Sequence, residues 1–174
     1  MARVPNRHGG GACTNRNGLR FEQITSLDDA LESVGFLLKD CEVYDGSKLI
    51  GYSVQKHKLY SKFLSPEGIN YKDYNSKQWL PDECFINLQT HTAFIIEKKF
   101  QNSSGSVDEK LPGCHFKKIE YEKLFKPLGY QVAYLYVFND WFRAPSYRDV
   151  LVYIEEMGCH YYWNEIPLEV LGLI

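Results

Sequence analysis

The chain lacks any apolar run approaching 18 residues, so the sequence predicts no membrane-spanning helix and no membrane partner. No apolar segment follows the N-terminal arginines, which predicts a chain without a signal peptide, working in a reducing cytoplasm. Internal repeats are absent, and low complexity is confined to Gly9-Gly10-Gly11 and a Ser-Gly loop at 103–106. Cysteine is sparse. The five thiols at 13, 41, 84, 114 and 159 are odd in number and not closely paired, which argues against a disulfide framework. Two Cys-His dipeptides, Cys114-His115 and Cys159-His160, raise the question of zinc. Adjacent strand residues point to opposite faces and chelate poorly, so buried, inert thiols are the preferred reading.

What is present suits a packed body. The 174 residues are 44% hydrophobic and 15% aromatic, enough for one domain spanning 1–174 around one core. Charge is unevenly spread. Residues 1–20 carry four arginines and no acid, a charge of +4 that leaves −6 on the remaining 154 for the total of −2. The basic, glycine-rich arm at about 1–17 reads either as a disordered tail or as a segment that meets a polyanion, where glycine lets backbone amides approach phosphates.

Apolar spacing predicts one broken helix or two short ones across 18–39, with Ser26, Asp28 and Asp29 at a helix start. Residues 41–45 and 48–54 read as strands around the turn Asp45-Gly46. Residues 58–80 read as a polar, tyrosine-rich loop with short pieces. Strands follow at 83–88 and 92–100, joined near Gln89 to His91. A helix at 115–127 is expected to bury Phe116, Ile119, Leu124 and Phe125. The stretch "YQVAYLYVF" at 130–138 reads as a buried strand. A helix at 146–157, a strand at 159–163 and a helical turn near 167–171 close the series. The link from strand 92–100 through a helix to 130–138 has the length of a parallel crossover, so the fold class is α/β.

One strand leaves this core in an unusual way. The apolar run Ala93 to Ile96 ends in Glu97-Lys98-Lys99, and Asp82 stands one hairpin upstream. Strand parity puts Glu97, Lys99 and Gln101 on one face and Ile96, Lys98 and Phe100 on the other. A hairpin turning near residue 90 brings Asp82 opposite Glu97, so two carboxylates converge with a lysine beside them. Such a pair can hold Mg²⁺, which suits hard oxygen ligands and acidifies bound water. A nearby lysine can orient that water or stabilise phosphorane charge. A surface salt bridge at a strand end is the other reading.

Pro81-Asp82, then fourteen residues, then Glu97-Lys98-Lys99 resembles the signature of the PD-(D/E)xK nuclease superfamily. The expected element order is similar to its restriction-endonuclease-like core, a central mixed sheet flanked by helices (α-β-β-β-α-β). "NRNGLRFE" at 15–22 resembles the opening of the first core helix in many restriction enzymes, and "SGSVDEKLP" at 104–112 a polar stretch after their catalytic lysine. The resemblance implies Asp82 and Glu97 as Mg²⁺ ligands, with Mn²⁺ able to substitute, and Lys99 as the water-positioning lysine. It implies Glu22 as a supporting carboxylate, direct or through water, against the reading of an exposed helix acid. Gln101 would brace the site or touch a phosphate. By parity Glu83 and Lys98 stand off the catalytic face.

A chain of this size would read its target with loops. The candidates are Arg7, Asn15, Arg16, Asn17 and Arg20 on the arm, and Ser104, Ser106 and Lys110 after the lysine. Asn139, Arg143, Tyr147 and Arg148 follow the buried strand. Arginine pairs with guanine and asparagine with adenine, yet each residue also serves as a cap or ion-pair partner. The resemblance implies a type II restriction endonuclease on double-stranded DNA, leaving 5′-phosphate ends. A palindromic site would favour a homodimer. A structure-directed repair or recombination nuclease and a non-catalytic nucleic-acid-binding module are the alternatives.

Overall fold

The computed structural model describes residues 26–173. Seven strands form one sheet in chain order: β1 (Leu37–Lys39), β2 (Glu42–Asp45), β3 (Lys48–Val54), β4 (Glu83–Asn87), β5 (Thr92–Lys99), β6 (Gln131–Phe138) and β7 (His160–Trp163). The first five strands pair antiparallel. β5, β6 and β7 run parallel, with β6 reached through α2 (Cys114–Phe125) and β7 through α3 (Arg148–Glu156). With α1 (Leu27–Ser33), the α/β mixed sheet and its α-β-β-β-α-β order are present as α1, β3, β4, β5, α2 and β6, widened by β1, β2 and β7.

The β4–β5 hairpin is fixed at its turn. Asn87 is 1% exposed, and its Oδ1 accepts from the N–H groups of Gln89 (2.8 Å) and Thr90 (3.1 Å). Its Nδ2 donates to the carbonyl of Leu171 at 2.9 Å, tying the turn to the C-terminal segment. His91 closes the reversal in the left-handed region at φ +48°. From there the ladder runs Asn87↔Thr92 to Glu83↔Ile96. One step further along that register places Asp82 against Glu97.

The two faces of the sheet bury different sets. On one, Cys84, Ile86, Ala93, Ile95, Tyr134 and Tyr136 pack with Tyr121, Leu124 and Phe125 of α2, Ile154 of α3 and the helical turn Leu59–Leu64. On the other, Phe85, Phe94, Ile96, Leu135 and Val137 pack with Leu27 and Leu31 of α1 and with Leu168 and Leu171. Each fully buried side chain of this size contributes roughly 1.5–3 kcal/mol relative to exposure. Both faces of β4 and β5 are therefore anchored, and strand parity is not free to slip.

Three expectations need correction. Within the described part of 18–39, the helix stops at Ser33. Gly35 turns left-handed at φ +98°, and Leu37–Lys39 pairs with β2 as a strand, because the hairpin supplies backbone partners that the helix could not. The stretch 58–80 is no simple polar loop: Leu59, Tyr60, Phe63, Leu64 and Ile69 are core residues. On α2, Phe116 and Ile119 face outward while Cys114, Tyr121, Leu124 and Phe125 are buried. The buried state of Cys84, Cys114 and Cys159 agrees with the inert-thiol reading.

Glu83 and Lys98 form an ion pair across the face opposite Glu97. Lys98 Nζ is 3.0 Å from Glu83 Oε2, with the two side chains 5% and 4% exposed. Glu83 Oε1 also accepts from the Leu27 N–H at 3.0 Å, holding the start of α1. Burial pushes the Glu83 carboxyl above its ordinary value, against the pull of Lys98 and that N–H. Removing one member of a buried pair strands the other charge. Glu83→Ala should therefore destabilise by about 3–5 kcal/mol in urea unfolding, whereas Glu83→Leu with Lys98→Met should recover most of the loss. Asn87→Ala should cost about 1–3 kcal/mol in the same measurement, because the amides of Gln89 and Thr90 and the Leu171 carbonyl lose their partner.

Candidate active site

Asp82 lies just before β4, and Glu97 and Lys99 lie on the last turns of β5's pleat. Asp82 Oδ2 accepts from the Lys98 backbone N–H at 2.8 Å, which clamps the carboxylate to the neighbouring strand at the Glu97 level. Lys99 Nζ donates to Glu97 Oε2 at 3.0 Å. The sequence expected these three residues to converge, and the structure brings them together at the open end of the hairpin.

Two further lysines enter from distant segments. Lys56 donates to Asp82 Oδ1, and its backbone N–H bonds the Pro81 carbonyl at 2.9 Å. Lys56 sits in the left-handed region at φ +49°, a conformation that costs energy for a non-glycine residue. Lys117 of α2 approaches Glu97 Oε2 at 3.7 Å. Sequence reasoning missed both. Their link to the carboxylates exists only through the fold, and no spacing in the chain announces it.

The electrostatics separate the two acids. Burial pushes the Asp82 carboxyl up, but the Lys56 hydrogen bond, the Lys98 N–H and the charges of Lys56 and Lys99 outweigh it, so its pKa lies below the usual carboxylate value. Glu97 is only 5% exposed and is walled by phenols. Burial first, and then the negative charge of Glu97, push Tyr121 and Tyr134 far above the ordinary tyrosine value. Those rings, 1% and 0% exposed, stay neutral.

This donor set fits a divalent hard cation. Mg²⁺ is held by one or two carboxylates plus water and substrate phosphate rather than by an all-protein cage. Among the described residues no group of three or more His, Cys, Asp or Glu side chains gathers for a metal; the carboxylates at this end of the hairpin are the pair Asp82 and Glu97. Three lysines against two carboxylates leave the cluster at +1, a charge that attracts phosphate.

The remaining candidates are placed as follows. Gln101 is 4% exposed. Its backbone N–H donates to Asn139 Oδ1 at 3.2 Å and its carbonyl accepts from Asn139 Nδ2 at 2.7 Å. Neither polar atom of its own amide has a hydrogen-bond partner among the described residues. Ser104, Ser106 and Lys110 are exposed on the segment after β5. Arg143 pairs with Asp140 at 2.9 Å and lies 4.3 Å from the Trp163 ring centre. Arg148 pairs with Asp149 at 3.0 Å, and the Tyr147 hydroxyl donates to Asp108 at 2.9 Å. The segments bearing Gln101, Asn139 and Arg143 leave the same ends of parallel β5 and β6 as Lys99 does. Arg7, Asn15, Arg16, Asn17, Arg20 and Glu22 lie outside the described residues.

Comparison with curated proteins and with solved structures finds no match. A family comparison matches residues 15–123 to the PD-(D/E)XK nuclease superfamily domain. The match takes in the whole β1–β5 region, Asp82, Glu97, Lys99 and nearly all of α2. The chain belongs to the PD-(D/E)XK nuclease superfamily.

Proposed function

We propose that the chain is a Mg²⁺-dependent endonuclease that hydrolyses DNA phosphodiester bonds, with a type II restriction endonuclease as the leading form. The observation that carries this reading is the meeting of Asp82 and Glu97 across the β4–β5 hairpin, with Lys99 Nζ 3.0 Å from Glu97. Asp82 and Glu97 would hold the cation. When bound, Mg²⁺ supplies positive charge that polarises the scissile phosphate and acidifies water. Lys99 positions the attacking water and donates toward the charge that develops on phosphorus. Water attacks phosphorus, the P–O3′ bond breaks, and the products carry a 5′-phosphate and a 3′-hydroxyl. Lys56 and Lys117 hold the carboxylates in place and leave the cluster net positive toward the phosphate.

Glu22 supports the cation directly or through water, and Gln101 braces the site. The arm residues Arg7, Asn15, Arg16, Asn17 and Arg20 meet DNA together with Ser104, Ser106, Lys110, Arg143 and Arg148. A homodimer suits a two-fold symmetric duplex site, each subunit cutting one strand. Mn²⁺ substitutes for Mg²⁺ because it accepts the same oxygen donors.

Incubation of the protein with unmethylated phage-length duplex should yield discrete fragments with Mg²⁺ and none with EDTA. Lys99→Ala should lower the cleavage rate by at least about 100-fold while leaving circular dichroism unchanged. A Mg²⁺-dependent smear would replace the restriction reading with a structure-directed nuclease. Intact DNA on every substrate would favour a non-catalytic binding module.

A further inference from the structure

Beside the carboxylates lies an aromatic pair that the proposed chemistry does not use. Trp79 and Phe116 meet edge-on with ring centres 5.8 Å apart. Phe116 is 56% exposed. The indole is firmly mounted. Its Nε1 donates to Glu120 Oε2 at 3.3 Å, and the Trp79 backbone carbonyl accepts from the Tyr60 hydroxyl at 2.7 Å. Glu120 is 5% exposed, is paired with Lys123 at 2.5 Å, and its own carbonyl accepts from buried Asn75 at 3.0 Å. A buried carboxylate thus orients a ring whose neighbour faces solvent.

The charges around the pair select its occupant. Lys77 Nζ lies 3.9 Å from the Trp79 ring centre and Lys117 Nζ 5.8 Å. Lys117 is also the lysine 3.7 Å from Glu97, so a single ammonium touches both the platform and the carboxylate site. An apolar protein surface docking here would have to desolvate these cations. A nucleotide offers a π face to the rings and a phosphate to the lysines at once. Lys77 is a surface residue on a long stem, so a base can take its place over the indole while the ammonium moves to the backbone.

We propose that Trp79 and Phe116 form a stacking platform for an unpaired nucleobase adjoining the scissile phosphate, with Lys77 and Lys117 on the flanking phosphates. The inference rests on the nuclease reading above but not on site specificity. The base comes from a single strand or flap, or is extruded from a duplex.

Fluorescence anisotropy in EDTA tests this with the wild-type chain on labelled oligothymidylate, on a blunt duplex and on a duplex with one bulged base. Trp79→Ala and Phe116→Ala should each weaken oligothymidylate binding about tenfold, the range expected for one lost base–aromatic stack, and Trp79→Phe should retain most of it. A loss confined to oligothymidylate and the bulged duplex assigns the base to an unpaired strand. A matching loss on the blunt duplex assigns it to extrusion. Phe116 is exposed, so its variant is not confounded by misfolding. Oligothymidylate binding unchanged in both alanine variants overturns the platform, as does intact strand binding accompanied by loss of a dimer in sedimentation, which would give the patch to a second copy. Cleavage with Mg²⁺ is scored separately: an inactive wild-type protein counts against the nuclease reading, and an insensitive binding constant against the platform.

Discussion

The antiparallel register of β4 on β5 is the constraint from which the site follows. A shift by one residue would exchange the faces of every side chain on β5, sending Glu97 and Lys99 to the face packed by Phe85, Leu135 and Val137 and bringing Lys98 to the α2 side. The fold resists this at three points. Asn87 fixes the turn, both faces of the hairpin are packed, and the Glu83–Lys98 pair is satisfied only in the observed register. Charges stand on both faces of the strand ends, and they have opposite uses. On the α1 side an acid and a lysine neutralise each other in the core. On the α2 side Asp82 stays partly exposed beside a buried Glu97.

The cluster on the α2 side is assembled from three separate stretches of chain. Asp82 and Glu97 come from the hairpin, Lys56 from the segment after β3, and Lys117 from α2. Lysines that hold two nearby carboxylates reduce their mutual repulsion, and this allows the acids to converge. The net positive balance then suits an anionic substrate. Lys117 also touches the Trp79 face, so the same helix that covers the core brings together the charge beside the carboxylates and the aromatic surface.

The hairpin was legible in the sequence because its information is local. Alternation gives the face, the turn gives the reflection, and the observed pairs Glu83↔Ile96 and Asn87↔Thr92 follow the reflection expected for Asp82 and Glu97. The parallel crossover to β6 was legible from its length and from a fully apolar strand. Non-local features were not. Val34 and Leu38 continue a helical spacing, but Gly35 and the pairing with β2 outweigh it. Phe116 and Ile119 are apolar and helically spaced, yet α2 turns Tyr121, Leu124 and Phe125 inward instead. Lys56, Lys117 and Trp79 carry no motif, since only tertiary contact makes them neighbours of the site.

Binding of a divalent ion to the Asp82–Glu97 pair is the most direct check on this account. Mn²⁺ titration followed by electron paramagnetic resonance reports bound ions without requiring DNA or turnover. The account predicts Mn²⁺ bound to the wild-type chain at this pair, its affinity reduced by at least about tenfold in both Asp82→Asn and Glu97→Gln, since each removes a charged oxygen donor. Mn²⁺ affinity unchanged in both variants would contradict it and leave the hairpin end as an ion-pair cluster.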